Sequence, residues 1–138
     1  MPYPEQLVAP MRAELTSAGV QELRTPAEVE NWFAQRQGTA LLLVNSVCGC
    51  AAGSARPAVK LAISGPRRPD RVATVFAGQD LEATALARKL IGDIPPSSPS
   101  IALLRDGVLM HFVPRHLIEG QPADVVAAEL TEAFNEYC

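Results

Sequence analysis

Two cysteines separated by one glycine, Cys48-Gly49-Cys50, are the residues of this chain best suited to covalent chemistry. Thiol pairs this close do one of two things. They exchange with disulfides, the first thiolate attacking and the second resolving the mixed disulfide, or they bind a soft metal. A thiolate is the reactive species in both cases, and its formation depends on the electrostatics around it. A free thiol ionises near pH ~8.5; partial positive charge from unpaired N–H groups at a helix N-terminus lowers that value. Cys48 should therefore sit where a strand gives way to a helix. A disulfide closed through a single residue is tight. Gly49, lacking a Cβ, tolerates the dihedrals such a ring demands. The bond is expected to be readily reduced. The same segment in an arbitrary context is a weak signal, so the surrounding elements decide.

Those elements are legible. The run Ala40-Leu41-Leu42-Leu43-Val44 immediately precedes the cysteines, and an unbroken apolar run of this length predicts a strand covered on both faces. A helix is predicted from the cysteines to about Ile63. Pro57 lies inside it and should kink it, because its ring crowds the carbonyl of Gly53. Upstream, residues 4–18 read as a helix with Leu7, Met11 and Leu15 on one stripe and Val8 beside it, and Val20–Leu23 as a short strand. Thr25-Pro26-Ala27-Glu28 is a capping box with proline at the first helical position. The helix it starts buries Val29, Trp32 and Phe33 and runs to Gly38.

Downstream, Val72–Phe76 is a second buried strand. Asp80 caps a helix carried by Ala83, Leu86, Ala87 and Leu90 and stopped by Gly92. Ile101–Arg105 and Val108–Val113 flank Asp106-Gly107, a two-residue hairpin signature. Pro122 opens a last helix with Val126, Leu130 and Phe134 aligned. Strands alternating with helices imply an α/β fold with a mixed central sheet flanked by helices, largely parallel with an antiparallel hairpin edge, and an extra N-terminal helix. Reactive groups of such sheets gather at the carboxyl ends of the strands, where the Cys pair lies.

Composition narrows the function classes. With 138 residues and 48% apolar content, one domain spanning residues 1–138 is expected. Net charge is −3, and the densest basic cluster, Pro66-Arg67-Arg68-Pro69-Asp70-Arg71, reads as a solvated loop; no nucleic-acid partner is expected. No apolar run reaches the ~20 residues of a membrane helix. The N-terminal residues lack the pattern of a secretory signal, so a cytosolic location is expected. Three cysteines do not make a secreted disulfide framework, and in a reducing compartment close pairs are more often catalytic or metal-binding. Two thiolates are half of a zinc site. His111, His116 and Cys138 lack the short spacing that would complete it, so no metal is expected. Cys138 reads as a mobile terminal thiol. Arg56 reads as a solvated helix-face charge, with favouring the thiolate as the alternative. Arg115 and His116 read as residues lining the site or starting a short helix.

The order of elements resembles thioredoxin, with a Cys motif after a buried strand, a proline in the next helix and a proline before the hairpin. A Ser98-Pro99 bond in cis would bring backbone beside the thiols to hold a substrate strand. Val47 stands where thioredoxins carry tryptophan, the motif is CxC in place of CxxC, and Leu42 occupies the region of their buried acid. The base that deprotonates Cys50 is thus unidentified.

A longer resemblance is to the bacilliredoxin family. It is carried by Asn45-Ser46-Val47-Cys48-Gly49-Cys50-Ala51-Ala52-Gly53, Ala55-Arg56-Pro57-Ala58, Thr74-Val75-Phe76-Ala77-Gly78-Gln79-Asp80, Pro96-Ser97-Ser98-Pro99-Ser100 and His111-Phe112-Val113-Pro114-Arg115-His116. It extends from Val8-Ala9-Pro10-Met11-Arg12 to Cys138. The resemblance implies removal of bacillithiol, a low-molecular-weight thiol, from proteins that carry it as a mixed disulfide. Cys48 would be the nucleophile and Cys50 the resolving thiol, with release by a second bacillithiol as the alternative. Gly49, Ser98 and Pro99 would contact substrate. Bacillithiol would act as co-substrate, with no bound cofactor and with bacillithiolated proteins as partners. General disulfide reductase or isomerase activity is the nearest alternative. A thiolate metal-binding module and a thioredoxin-like interaction domain without turnover are the readings from other classes.

Overall fold

In the computed structural model, which describes residues 2–138, the apolar run at 40–44 lies at the centre of a five-stranded sheet. The elements in chain order are α1 (Glu5–Thr16), β1 (Gln21–Glu22), α2 (Pro26–Ala34) and β2 (Thr39–Asn45). A π-helical turn (Ala51–Ala55) then runs into α3 (Arg56–Ile63). After it come β3 (Arg71–Phe76), α4 (Leu81–Ile91), β4 (Ser100–Arg105), β5 (Val108–Val113), a 3-10 turn (Arg115–Leu117) and α5 (Ala123–Tyr137). The strand order is β1-β3-β2-β4-β5.

β1, β3 and β2 are parallel, while β4 is antiparallel to both β2 and β5. The α/β class, the mixed central sheet and the additional N-terminal helix agree with expectation; the strand that runs against the others is β4, inside the sheet, in place of the hairpin edge β5. The cause is the path of α4. Its last turn, Arg88 and Ile91, still lines the same small cavity as Val44 and Ser100. The chain therefore enters β4 from the carboxyl end of β2, with Ser100 opposite Val44.

Every residue of β2 is buried. Leu41 and Leu43 pack with Leu15 of α1, Val59 of α3 and the predicted stripe Val126, Leu130 and Phe134 of α5. Ala40, Leu42 and Val44 pack on the other face with Val29, Trp32, Ala83 and Ala87 of α2 and α4. This two-sided burial is why the strand reads as a continuous apolar run, without alternation. At the hairpin, Asp106 and Gly107 have φ 52° and 81°, the positive values a two-residue turn of this kind needs.

The capping box forms as predicted. Thr25 Oγ1 accepts from the Glu28 N–H and the Glu28 carboxylate accepts from the Thr25 N–H, both at 3.2 Å. α2 nevertheless ends at Ala34, ahead of Gly38, and Phe33 is only half-buried. Three further expectations are corrected. α1 buries Val8, Arg12 and Leu15 and leaves Leu7 exposed. Its inward stripe therefore contains a cation, Arg12, which bonds Glu5, Glu22 and Asp80. Asp80 precedes α4, but Arg12 engages its carboxylate and it makes no side-chain cap. The disturbance expected at Pro57 takes the form of the π-turn just before it, in which the Arg56 N–H reaches the Ala51 carbonyl.

Candidate active site

β2 delivers the chain to its carboxyl end at Asn45, and Ser46 and Val47 lead into Cys48. The Cys48 carbonyl accepts from the N–H groups of Ala51 (3.1 Å) and Ala52 (3.3 Å). Cys48 is therefore the residue at the helix start, and Gly49 and Cys50 form its first turn, whose N–H groups have no intrahelical acceptor. The pair is joined as a disulfide with Cα atoms 5.5 Å apart. Cys48 and Cys50 are both half-buried, so exposure does not separate them as expected from their positions in the turn. Gly49 is exposed. Its φ is outside the left-handed region and a Cβ there would meet open space. The dihedral argument for a glycine in the ring is thus corrected: within this chain the position leaves the surface between the two cysteines bare.

What separates the two thiols is Ser46. Its hydroxyl donates to Cys48 Sγ (3.3 Å) and accepts from the Cys48 N–H (3.4 Å). Beneath it lies Arg56, which is 3% exposed and not the solvated charge expected. Arg56 Nη1 donates to Asn45 Oδ1 and to the Ser46 carbonyl, both at 2.9 Å, and Nε donates to Glu14 Oε1 at 2.7 Å. Lys60 closes on the other Glu14 oxygen at 2.9 Å. Burial raises the Glu14 carboxyl, but the hydrogen bonds from Lys60 and Arg56 outweigh it and hold the group below its ordinary value. The site thus rests on an ion network spanning α1 and α3.

The segment before β4 lies at the same end of the sheet. The Ser98–Pro99 bond is cis, as expected. The β2–β4 register ends with Val44 opposite Ser100, so Ser98 and Pro99 lead into β4 at the carboxyl end of β2, the end that leads to Cys48. Pro99 is buried and Ser98 half-buried. Arg115 secures this segment: its N–H donates to Ser97 Oγ and Nη1 to the Ser98 carbonyl, each at 3.3 Å, while Glu119 pairs with the same guanidinium.

Comparisons with known proteins agree with this geometry. The disulphide isomerase family model matches residues 3–138. A bacilliredoxin of Salinibacter ruber is 59% identical over 140 residues, covering 100% of this chain and 82% of the relative. A bacilliredoxin of Shouchella clausii is 51% identical, covering 99% and 94%. The chain belongs to the bacilliredoxin family. Among solved structures it resembles Fasciola hepatica thioredoxin (TM-score 0.60, 19% identity, 86% of this chain and 100% of that one). It also resembles mitochondrial thioredoxin 3 of Saccharomyces cerevisiae (TM-score 0.57, 17% identity, 89% and 98%). These identities speak for the thioredoxin fold alone. As a bacilliredoxin-family protein the chain is a thiol–disulfide oxidoreductase, with Cys48 and Cys50 as its CXC pair.

The remaining candidates lie elsewhere. Cys138 packs against the core and its N–H bonds the Phe134 carbonyl, so it is not the mobile thiol expected. Burial pushes its thiol up. His111 pairs with Glu129 at 2.9 Å on the β5–α5 side. Among the described residues, no group of three or more His, Cys, Asp or Glu side chains is placed to hold a metal ion. No helix among them is long and apolar enough to cross a membrane. Sequence reasoning passed over Ser46 and mistook the burial of Arg56. The signal available was that both fall within the family motif around the cysteines.

Proposed function

We propose that this chain removes bacillithiol from protein mixed disulfides in the reducing cytosol. The observation that carries the reading is the full-length similarity to bacilliredoxins, joined to a CGC pair at a helix N-terminus. The Cys48 thiolate attacks the bacillithiol sulfur of the mixed disulfide. That S–S bond breaks, and the client's thiolate leaves with the electron pair. Cys48 now carries bacillithiol. The Cys50 thiolate attacks Cys48 Sγ, bacillithiol departs as a thiolate, and the Cys48–Cys50 disulfide forms. The client has been reduced by two electrons and the enzyme oxidised by two. Two equivalents of bacillithiol restore the dithiol and leave as their own disulfide. Gly49 leaves the approach to the sulfurs open, and Ser98 and Pro99 are the residues proposed to receive the client's strand.

The second reading, a general disulfide isomerase, is favoured by the description of the matching family model. One experiment separates them. The reduced chain is given the same client carrying bacillithiol, carrying glutathione, or holding an internal disulfide, and release is followed by intact mass. Preferential turnover of the bacillithiolated client is expected. Equal turnover of all three would refute the proposal in favour of the isomerase reading.

A further inference from the structure

We propose that Ser46 is a third catalytic residue, its hydroxyl holding the Cys48 thiolate by a hydrogen bond, and that buried Arg56 is the positioning residue that aims it. The inference rests on Cys48 being the attacking thiol and not on which small thiol it serves. A serine hydroxyl has one hydrogen to donate, and the acceptor facing it here is Cys48 Sγ at 3.3 Å. Ser46 is 7% exposed, so little water competes for that hydrogen. Its position is set from both sides of its backbone. The Ser46 N–H donates to Asn45 Oδ1 (2.9 Å) and its carbonyl accepts from Arg56 (2.9 Å). The same Arg56 nitrogen holds Asn45 Oδ1, and Glu14 fixes the guanidinium from α1.

The bond matters through a difference. A hydrogen bond to an ionised acceptor is roughly twice as strong as one to a neutral acceptor. Facing a disulfide sulfur, as in this structure, the hydroxyl gains little; facing a thiolate it gains more. Ser46 keeps its proton throughout. It lowers the energy of the anion formed when Cys48 loses a proton, and favours the dithiol over the disulfide. The other charged groups around this end of the sheet are Glu14 on α1, Arg56 and Lys60 on α3, Arg12 with Glu5, Glu22 and Asp80, Arg88 on α4, and Arg115 with Glu119 and His116 beyond β5. Among the described residues none of them hydrogen-bonds Cys48.

The test uses the full chain with Cys50→Ser and Cys138→Ser, so that Cys48 is its one thiol. The rate of alkylation by iodoacetamide is followed against pH. Ser46→Ala should raise the midpoint by about one pH unit, a tenfold change in ionisation, and Ser46→Thr should restore most of it. Glu14→Ala tests Arg56 without removing the buried cation. Loss of aim raises the midpoint, whereas an electrostatic field alone would lower it, because an anion has been deleted. In the intact dithiol, at a pH above the midpoint, Ser46→Ala should shift the thiol–disulfide equilibrium about tenfold toward the disulfide, about 30 mV. An unmoved midpoint in Ser46→Ala would overturn the catalytic assignment, and a lowered one in Glu14→Ala the positioning assignment. Neither readout contains bacillithiol, so failure of the proposed substrate would leave both standing.

Discussion

Replacing Cys50 by serine should convert a transient species into a stored one, and the geometry sets how strongly. On the proposed roles, bacillithiol bound to Cys48 leaves when Cys50 attacks. The two Cα atoms are 5.5 Å apart in the first turn of one helix. One thiol confined to a sphere of that radius is at about 2 M. In Cys50→Ser the release must come from a free small thiol. At about 1 mM of that thiol, release should slow by about 10³-fold. The assay loads reduced Cys50→Ser from a bacillithiolated client and quenches at intervals after adding the small thiol. Intact mass should show one bacillithiol per chain, decaying in proportion to added thiol, where the unsubstituted chain retains none. Cys48→Ser should take up none. Release from Cys50→Ser at the unsubstituted rate would refute the resolving role. Uptake by Cys48→Ser with none by Cys50→Ser would show that the roles are reversed.

Cys138 and Arg12 carry further expectations from the same structure. Cys138→Ser should leave transfer within about twofold of the unsubstituted chain. Burial pushes the Cys138 thiol up, so in a Cys48→Ser/Cys50→Ser chain it should alkylate more slowly at neutral pH than an unhindered thiol; faster alkylation would contradict its packing. Arg12→Met should destabilise the fold by about 2–3 kcal/mol, because the half-buried carboxylates of Asp80 and Glu22 lose their buried cation. The value falls below the usual range for broken buried pairs because Arg24 stands 3.3 Å from Glu5 and 3.9 Å from Glu22. The hydrogen bond from Arg12 holds the Glu5 carboxyl below its ordinary value. Glu5's own share of the pairing is therefore present above the ordinary carboxylate range and is lost as pH falls through its lowered value. The gap in urea midpoint between the two chains should narrow in acid; a constant gap would sink the ion-pair account.

The parts of the fold that sequence made legible are those where one local rule acts alone. Thr25 and Glu28 cap their own helix, Asp106-Gly107 turns its own hairpin, and a strand buried on both sides carries Ala40 to Val44 without a polar break. The same rules placed the cysteines at the strand-to-helix junction. They failed where a side chain answers to a distant one. Leu7 and Met11 fit a helical stripe as well as Val8 does. The true inward face of α1 is set by Arg12, whose partner Asp80 is 68 residues away. β4 runs antiparallel because of how α4 crosses the sheet, a matter of packing that no window of residues contains.

Arg56 shows the limit most sharply, and it bears on the site itself. In an unbroken α-helix from Cys48, each residue turns ~100°, and a charged residue two turns on reads as one more polar position on a solvent face. The π-turn at Ala51–Ala55 adds a residue to one turn, so every later side chain lags that expectation by about 100°. The shift carries Arg56 inward, under Asn45 and Ser46, instead of out to water. Pro57 then fits without asking for an N–H that a continuous helix would need. The proline that reads as a kink is thus part of how a cation comes to lie beneath the residue whose hydroxyl touches the Cys48 sulfur.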